Sequence, residues 1–582
     1  MQPSHDEPAG QRSLTRRPAR SLIGALACAL SCIPAQAQVP DAGSVLRQLQ
    51  PEQQPALPTP KAAEGPPQPA ARATTGPVRV RGFRFQGNHL LSEAQLAHVA
   101  APYAGRDLQP ADLARLSDDL VRRYRRAGYL ARVIVPAQRL EGGVLRLTVV
   151  EAHVGQVRFS ADTRVQDLNV RADRILARVQ SQQQAGAPVS LPDLTRGVLL
   201  ASDLPGITVN EREVAGADAG ATDVELDVRN TNVLSGDFSV DNYGQPATGS
   251  ERAVGRFDWN SAFGFGEQLQ FLGLITPHLQ YGRVDGAFPL NDDGLRLSLS
   301  ASGLDYQVVT PQYELLKPRG GSSTFGAGLD HPLVRDTTRN LSIGAGLQRI
   351  SPINEDVWGV ISDYHIYEAT VRATANAYDG FHGGAITTAS LSLGNGWLML
   401  GGSPNEALDA ATARTRGHFV TLRYSLDRNQ ALGGPFSLYL SLSGQYGSRN
   451  LDTAEQIYLS GPYGVAAYAV SDNAGTDGQL GIVELRWAGI RARWCRCTLK
   501  ILYDVGHVTV YADPHFPGAP PPNSYDVQAA GAGAAGELPG GLHFSLIAAH
   551  RVGGDSGWEA PQYHLTGAAE DTRVWASLGW AF

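Results

Sequence analysis

Charge is scarce in this sequence, and its balance gives no nucleic-acid surface. Only 18% of the 582 residues are charged, and 49 Lys and Arg against 56 Asp and Glu leave a net charge of −7. A basic patch is the usual footprint of a nucleic-acid binder, so that class is excluded. Beyond residue 37 there is no run of 18 or more apolar residues, which excludes a helical membrane span. Cysteine is nearly absent, with four in all. Cys28 and Cys32 lie in the extreme N-terminal segment, which leaves Cys495 and Cys497 in Arg493-Trp494-Cys495-Arg496-Cys497. No further ligands cluster near them for a metal site. On an extended strand they face the same way, but a bridge between residues two apart strains the backbone, so free thiols are expected. The 14 histidines are scattered, and no HExxH, GxSxG or GxxxxGK[ST] pattern occurs. His331 and His365 therefore read as loop or lumen residues. Asp472-Asn473 to Gly478 fails the EF-hand spacing and reads as a polar loop. No catalytic residue, cofactor or metal is expected.

Several features stand out against those absences. Arg16, Arg17 and Arg20 precede a short apolar stretch (21–34) that ends at Ala35-Gln36-Ala37, the pattern of a secretory signal peptide spanning 1–37. A lipoprotein signal ending at Cys32 is the alternative, with Ala29 where Leu is usual. Removing 1–37 takes four Arg and two acidic residues, so the net charge moves from −7 to −9. Residues 38–52 hold a short helix with Val45, Leu46 and Leu49 on one side, and 53–76 form a Pro-rich linker that is semi-rigid and extended. By composition alone this arm is disordered.

Two similar α+β modules follow, 77–152 and 153–230, each ordered β-α-α-β-β. In the first, Ser92 and Gln95 form a capping box. A helix over 110–127 carries Leu113, Leu116, Leu120 and Tyr124 on one face, and Gly128 ends it. In the second, helices are expected over 172–179 and 191–200, with Leu204-Pro205-Gly206 as the stop. After Asn230 helical periodicity vanishes and alternation with period two runs to the last residue. Leu295, Leu297, Leu299 and Ala301 alternate with Arg296, Ser298 and Ser300, and Val420, Leu422, Tyr424 and Leu426 with Thr421, Arg423, Ser425 and Asp427. Phe436, Leu438, Leu440 and Leu442 repeat the pattern. One face suits lipid and the other a wet lumen, because a sandwich core would not hold Arg and Asp. Residues 231–582 have room for about 16 antiparallel strands at ~10 membrane residues each, an all-β transmembrane barrel. The final strand places Leu578, Trp580 and Phe582 on one face. A terminal aromatic strand of this kind resembles the insertion signal of outer-membrane barrels.

With these residues assembled, the sequence resembles the two-partner secretion transporters, the haemolysin-activator (ShlB/FhaC/HecB) family of the POTRA-plus-barrel superfamily. Both modules look like POTRA domains, with Phe85, Gly87 and Asn88 in the first and residues 199–206 (Leu-Leu-Ala-Ser-Asp-Leu-Pro-Gly) in the second. Val240-Asp241-Asn242-Tyr243-Gly244 with Thr248-Gly249 is similar to the family's first barrel strand, and residues 41–46 to its pore-plugging helix. Gly461-Pro462-Tyr463-Gly464-Val465-Ala466-Ala467-Tyr468 resembles the tip of a long loop folded back into the lumen, where the family has an Arg in place of Ala466. That Arg pairs with the Asp of a wall motif, here Leu502-Tyr503-Asp504-Val505-Gly506. The resemblance implies that Asp504 has lost its partner. Arg486, Arg491 or Arg493, or water, is expected in its place, failing which the loop is held less firmly. It also implies an outer-membrane transporter of a Gram-negative-type cell with periplasmic N-terminal domains. Such a protein binds an unfolded, TpsA-like secreted exoprotein and passes it through the barrel. Its other expected partners are outer-membrane lipid and the barrel assembly machinery. A barrel assembly factor of the same superfamily and a passive porin are the alternatives.

Overall fold

The computed structural model describes residues 40–49, 58, 78–519, 521–553 and 570–582. The expected signal peptide, and the expected linker apart from Pro58, lie outside the described residues.

Local sequence chemistry builds the first module. Ser92 Oγ accepts from the Gln95 N–H while the Gln95 side chain accepts from the Ser92 N–H at 3.0 Å, starting helix Glu93–Ala100. Helix Pro110–Arg126 buries Leu116, Leu120 and Tyr124 and places three arginines in its last turn, where they complement the helix dipole. Gly128 then takes φ +88, a conformation other residues adopt only at a cost. These helices cover a sheet in which Gly82–Gln86 runs parallel to Val144–Glu151, which pairs antiparallel with Ala131–Ile134. One element departs from the expected order. A three-residue strand, Arg106–Leu108, pairs with Val78–Val80 between the two helices.

The second module repeats the plan with longer elements than expected, helices Ala172–Gln182 and Leu191–Ser202 over strands His153–Phe159, Ala221–Asn230 and Ile207–Ala215. The helices meet at Gly197, whose place against the Val179 backbone leaves no room for a side chain without a shift.

From Leu234 onward the chain closes into an antiparallel barrel of sixteen strands, with Gly359–Asp363 as a short extension that pairs only with the seventh. Alternation separates the two faces as the sequence implies. Leu299, Leu422, Leu426, Phe436, Leu440 and Leu442 are exposed on the outside, together with Phe325, Leu347, Val371 and Ile501. Thr421, Gln445, Glu368 and Glu484 are buried on the inside. This greasy exterior and polar interior is the arrangement a membrane barrel requires. Among the described residues no helix is long and apolar enough to cross a membrane.

The last strand, Thr572–Ala581, pairs with the first, Leu234–Asp241, through five residues from Ser577↔Asp241 to Ala581↔Asp237. Phe582 continues the ladder through both main-chain bonds to Gly236. Leu578, Trp580 and Phe582 lie exposed on the outer face, and Trp580 donates to the Gly540 carbonyl at 2.9 Å.

Cys495 and Cys497 form a disulfide, which corrects the expectation of free thiols. A two-residue step on a strand returns both side chains to one face, and the 5.6 Å Cα separation lies within the range a bridge accepts.

The second module is fixed to the near mouth of the barrel. Asp203 grips Arg335 through both carboxylate oxygens at 2.8 Å, and Arg196 reaches Asp293 at 2.9 Å. Leu204 packs under Gly266.

Candidate functional site: the occupied lumen

The lumen is filled by two parts of the chain itself. The first is helix Ala42–Gln48. Asp41 caps it by accepting from the Ser44 N–H at 2.8 Å. Ala42, Val45, Leu46 and Leu49 are buried in one apolar cluster with Leu274, Tyr306, Ile350 and Phe419 of the barrel wall, so the three apolar residues singled out in sequence are the ones that pack. Polar bonds at the helix start set its position. The Ala42 N–H donates to Asn354 Oδ1 at 2.8 Å, and the Tyr306 hydroxyl donates to the same atom at 2.9 Å.

The second is loop 448–476, between the eleventh strand, Phe436–Gly447, and the twelfth, Asp477–Ala492. It carries the helix: Thr453 Oγ1 donates to Asp41 at 2.8 Å, and Arg47 Nε donates to the Gln456 carbonyl at 3.1 Å. Gly43 sits so close that a Cβ there would stand 2.6 Å from Thr453 Oγ1 and 2.8 Å from Ala454 N. Glu455 on the same loop binds Arg423 of the tenth strand, Gly417–Gly433, at 2.5 Å, and Arg423 also reaches Glu368 at 3.3 Å and Gln445 at 2.8 Å. Buried carboxylates flanking one guanidinium are tolerable because each of them meets that opposite charge directly. Leu451 and Ala454 of the loop also join the helix's apolar cluster, so among the described residues helix and loop form one assembly with no covalent tie across it.

The loop tip is seated on the opposite wall. Leu459, Val465, Ala466 and Ala467 are buried against Leu502, Val508, Val527 and Trp575. Asp504 is 2% exposed and accepts from the Ala466 main-chain N–H at 3.1 Å. Trp575 Nε1 donates to the Ala466 carbonyl at 2.6 Å. The expected replacement cations are elsewhere. Arg486 pairs with Glu484 at 2.5 Å and lies over the Tyr439 ring. Arg491 sits in register with Arg496 at the far end of the strands, next to the turn that holds Arg493, whereas Asp504 faces Ile482. A peptide N–H therefore meets the carboxylate where a guanidinium was expected.

The remaining motif residues fall around this point. Gly461 packs on Val470 and Gly506 on Val465, while Tyr468 lies 4.3 Å beneath the Arg551 guanidinium and Pro462 is half-buried. Tyr243 bridges Tyr463 and Trp575 edge-on, with centroids 5.8 and 6.0 Å away. Asn242 uses its side-chain amide as a peptide would, donating to Val574 O and accepting from Ala576 N–H, both at 2.8 Å. Asp472 accepts from the Ala469 N–H, so it caps the loop. Among the described residues no cluster of His, Cys, Asp or Glu suits a metal ion.

Sequence reasoning reached Ala466 and Asp504 but missed Trp575, Thr453 and Asn354. Trp575 did carry a signal, since an aromatic ring at a lumen-facing position breaks the alternation. Thr453 and Asn354 carried none, being ordinary polar residues on the polar side.

The family model for haemolysin secretion/activation protein ShlB/FhaC/HecB matches residues 220–534, more than half of the chain, and that for the ShlB-type POTRA domain matches 78–152. The chain is 23% identical over 446 residues to the heme/hemopexin transporter protein HuxB of Haemophilus influenzae, covering 75% of this chain and 77% of that protein. It is likewise 23% identical over 425 residues to the hemolysin transporter protein ShlB of Serratia marcescens, covering 71% and 72%. The solved structure of CdiB from Escherichia coli shares the fold, with a TM-score of 0.69 at 19% identity over 89% of this chain and 93% of that one. The chain therefore belongs to the haemolysin secretion/activation (ShlB/FhaC/HecB) family: it is an outer-membrane barrel transporter of the two-partner secretion type, with its N-terminal modules in the periplasm, that exports a secreted partner protein.

Proposed function

We propose that the partner travels as an unfolded chain, is taken up by the modules at 77–152 and 153–230, and passes through the lumen of the barrel at 231–582 once the helix and the loop tip have moved. The observation that carries this reading is that the lumen is filled by parts of the protein held only by reversible polar and apolar contacts. Exposed sheet edges such as Ile207–Ala215, paired on one side only, supply main-chain donors and acceptors for an extended segment. Gly461, Pro462, Val465, Ala466 and Tyr468 act with Leu502, Asp504 and Gly506 as the seat of the movable tip. Leu578, Trp580 and Phe582 act as the signal read by the barrel assembly machinery, and the greasy exterior meets outer-membrane lipid. The chain is assigned no catalytic step and no cofactor. The periplasm holds no nucleotide, so folding of the partner outside the cell draws it through. Deleting 77–230 is expected to abolish export while the barrel still inserts, checked by heat-modifiable migration and by assaying the medium for the partner. Undiminished export from that variant overturns the role given to the modules.

A further inference from the structure

The N-terminal arm has a second hold, at the periplasmic mouth of the pore, and its chemistry suits a main-chain carbonyl. Asn340 and Asn376 stand directly opposite each other on the seventh strand, Arg339–Asp356, and the eighth, His365–Asp379. They are 4% and 5% exposed. Both side-chain amides converge on one oxygen, the carbonyl of Pro58, with Asn376 Nδ2 at 3.0 Å and Asn340 Nδ2 at 3.3 Å. Neighbours fix the direction of both amides. Arg335 Nη1 donates to Asn340 Oδ1 at 3.0 Å, which turns Asn340 Nδ2 inward. That nitrogen donates to Asn376 Oδ1 at 2.8 Å, which leaves Asn376 Nδ2 for the carbonyl. A guanidinium thus heads a relay of donors ending on a peptide oxygen, and each bond polarises the next. Arg335 is itself clamped by Asp203 of the second module.

A proline occupant exposes what the site reads. The contact uses no side chain and no N–H, only a carbonyl, and every residue of an extended polypeptide offers one. We infer that Asn340 and Asn376 form a backbone-carbonyl site at the entrance of the pore. Pro58 of the arm fills it at rest, and successive residues of the transported polypeptide fill it once the arm has withdrawn. The inference rests on the lumen being the conduit and adds where, and by which atoms, the moving chain is first held. Reading the main chain alone makes the hold indifferent to sequence. Two neutral hydrogen bonds are also weak enough to be remade at every step, as passage through a pore demands.

Planar-bilayer recording from the full-length protein tests it, with an uncharged forty-residue Gly-Ser-Thr polypeptide added on the periplasmic side as the probe. The wild type is expected to show blockades of its open events. In Asn340→Ala with Asn376→Ala the blockades shorten by roughly tenfold, because two hydrogen bonds to the passing chain are lost. Spontaneous openings also become more frequent, since Pro58 is no longer held. Asn376→Asp, which keeps the shape and replaces the donor by an acceptor, should give the same two changes and guards against a packing defect. Leu347→Ala, on the outward face of the same strand as Asn340, should leave blockade length unchanged. Equal blockades in the wild type and both asparagine variants overturn the site while leaving the conduit intact. A probe that never blocks the open wild-type pore sinks the conduit reading, and the site falls with it.

Discussion

Ala466 and Trp575 explain how the loop tip stays seated without an arginine. The Ala466 peptide is held on both sides, its N–H by Asp504 and its carbonyl by the Trp575 indole. Trp575→Phe keeps an aromatic ring of smaller volume and deletes the donor, so the buried carbonyl loses its partner at a cost of about 1–3 kcal/mol. The expected outcome is faster protease clipping within 448–476 in the purified full-length protein. Asp504→Asn, which keeps an oxygen for the Ala466 N–H, should clip more slowly than Asp504→Leu. Gly43 makes the same argument from space. A side chain there cannot coexist with Thr453 and Ala454 at 2.6–2.8 Å, so Gly43→Val should weaken helix seating by about 1–3 kcal/mol. Single-channel recording should then show the open fraction rising by roughly fivefold or more. At this scale the sequence was legible where a motif concentrates unusual residues, as at Gly461-Pro462 and Asp504. It was opaque at Thr453, Asn340 and Asn376, which are common polar residues whose meaning lies in what the fold brings opposite them.

Elements were more legible than residues, for a physical reason. Capping boxes, a C′ glycine and an apolar stripe are local, so the start of Glu93–Ala100 and both ends of Pro110–Arg126 could be read to within a residue or two. Strand Arg106–Leu108 could not, because three residues are too short for alternation and its pairing with Val78–Val80 is set by tertiary contact. The Cys495–Cys497 bridge was misjudged because spacing alone does not give the Cα separation. Helix Pro110–Arg126 also carries a titration. Partial burial raises the Asp119 carboxyl, but the hydrogen bonds from Tyr103 and Arg122 outweigh this and hold it below its ordinary 3.8. The Tyr103 hydroxyl, desolvated and bonded to Asp119, is pushed up to about 12. A depressed carboxyl stabilises the folded module above its ordinary value, and that share is lost as pH falls through the depressed one. Pepsin should therefore cut within 78–152 progressively faster as pH falls from about 5 to about 2. In Asp119→Asn the acceleration should be smaller, with the cleavage already faster at the upper end.

For the whole molecule, one seam separates export through the lumen from the rival reading as a barrel assembly factor. The first and last strands share five paired residues, whereas the sixth and seventh share sixteen. The short seam is reinforced by the Asn242 side chain and by Phe582 on Gly236. Fewer ladder bonds make this the place where the cylinder opens at least cost. A factor that inserts other barrels has to part such a seam, whereas a lumen exporter has no need to. Val240 and Leu578 are partners across it, both facing outward. With Val240→Cys and Leu578→Cys in a Cys495→Ser, Cys497→Ser background, which removes the native bridge, oxidation sews the seam and reductant releases it within the same inserted protein. Export of the partner is expected to proceed equally in both states, measured as its amount in the medium per inserted barrel. Export that stops on oxidation and returns on reduction would show that the wall, and not the lumen contents alone, has to move.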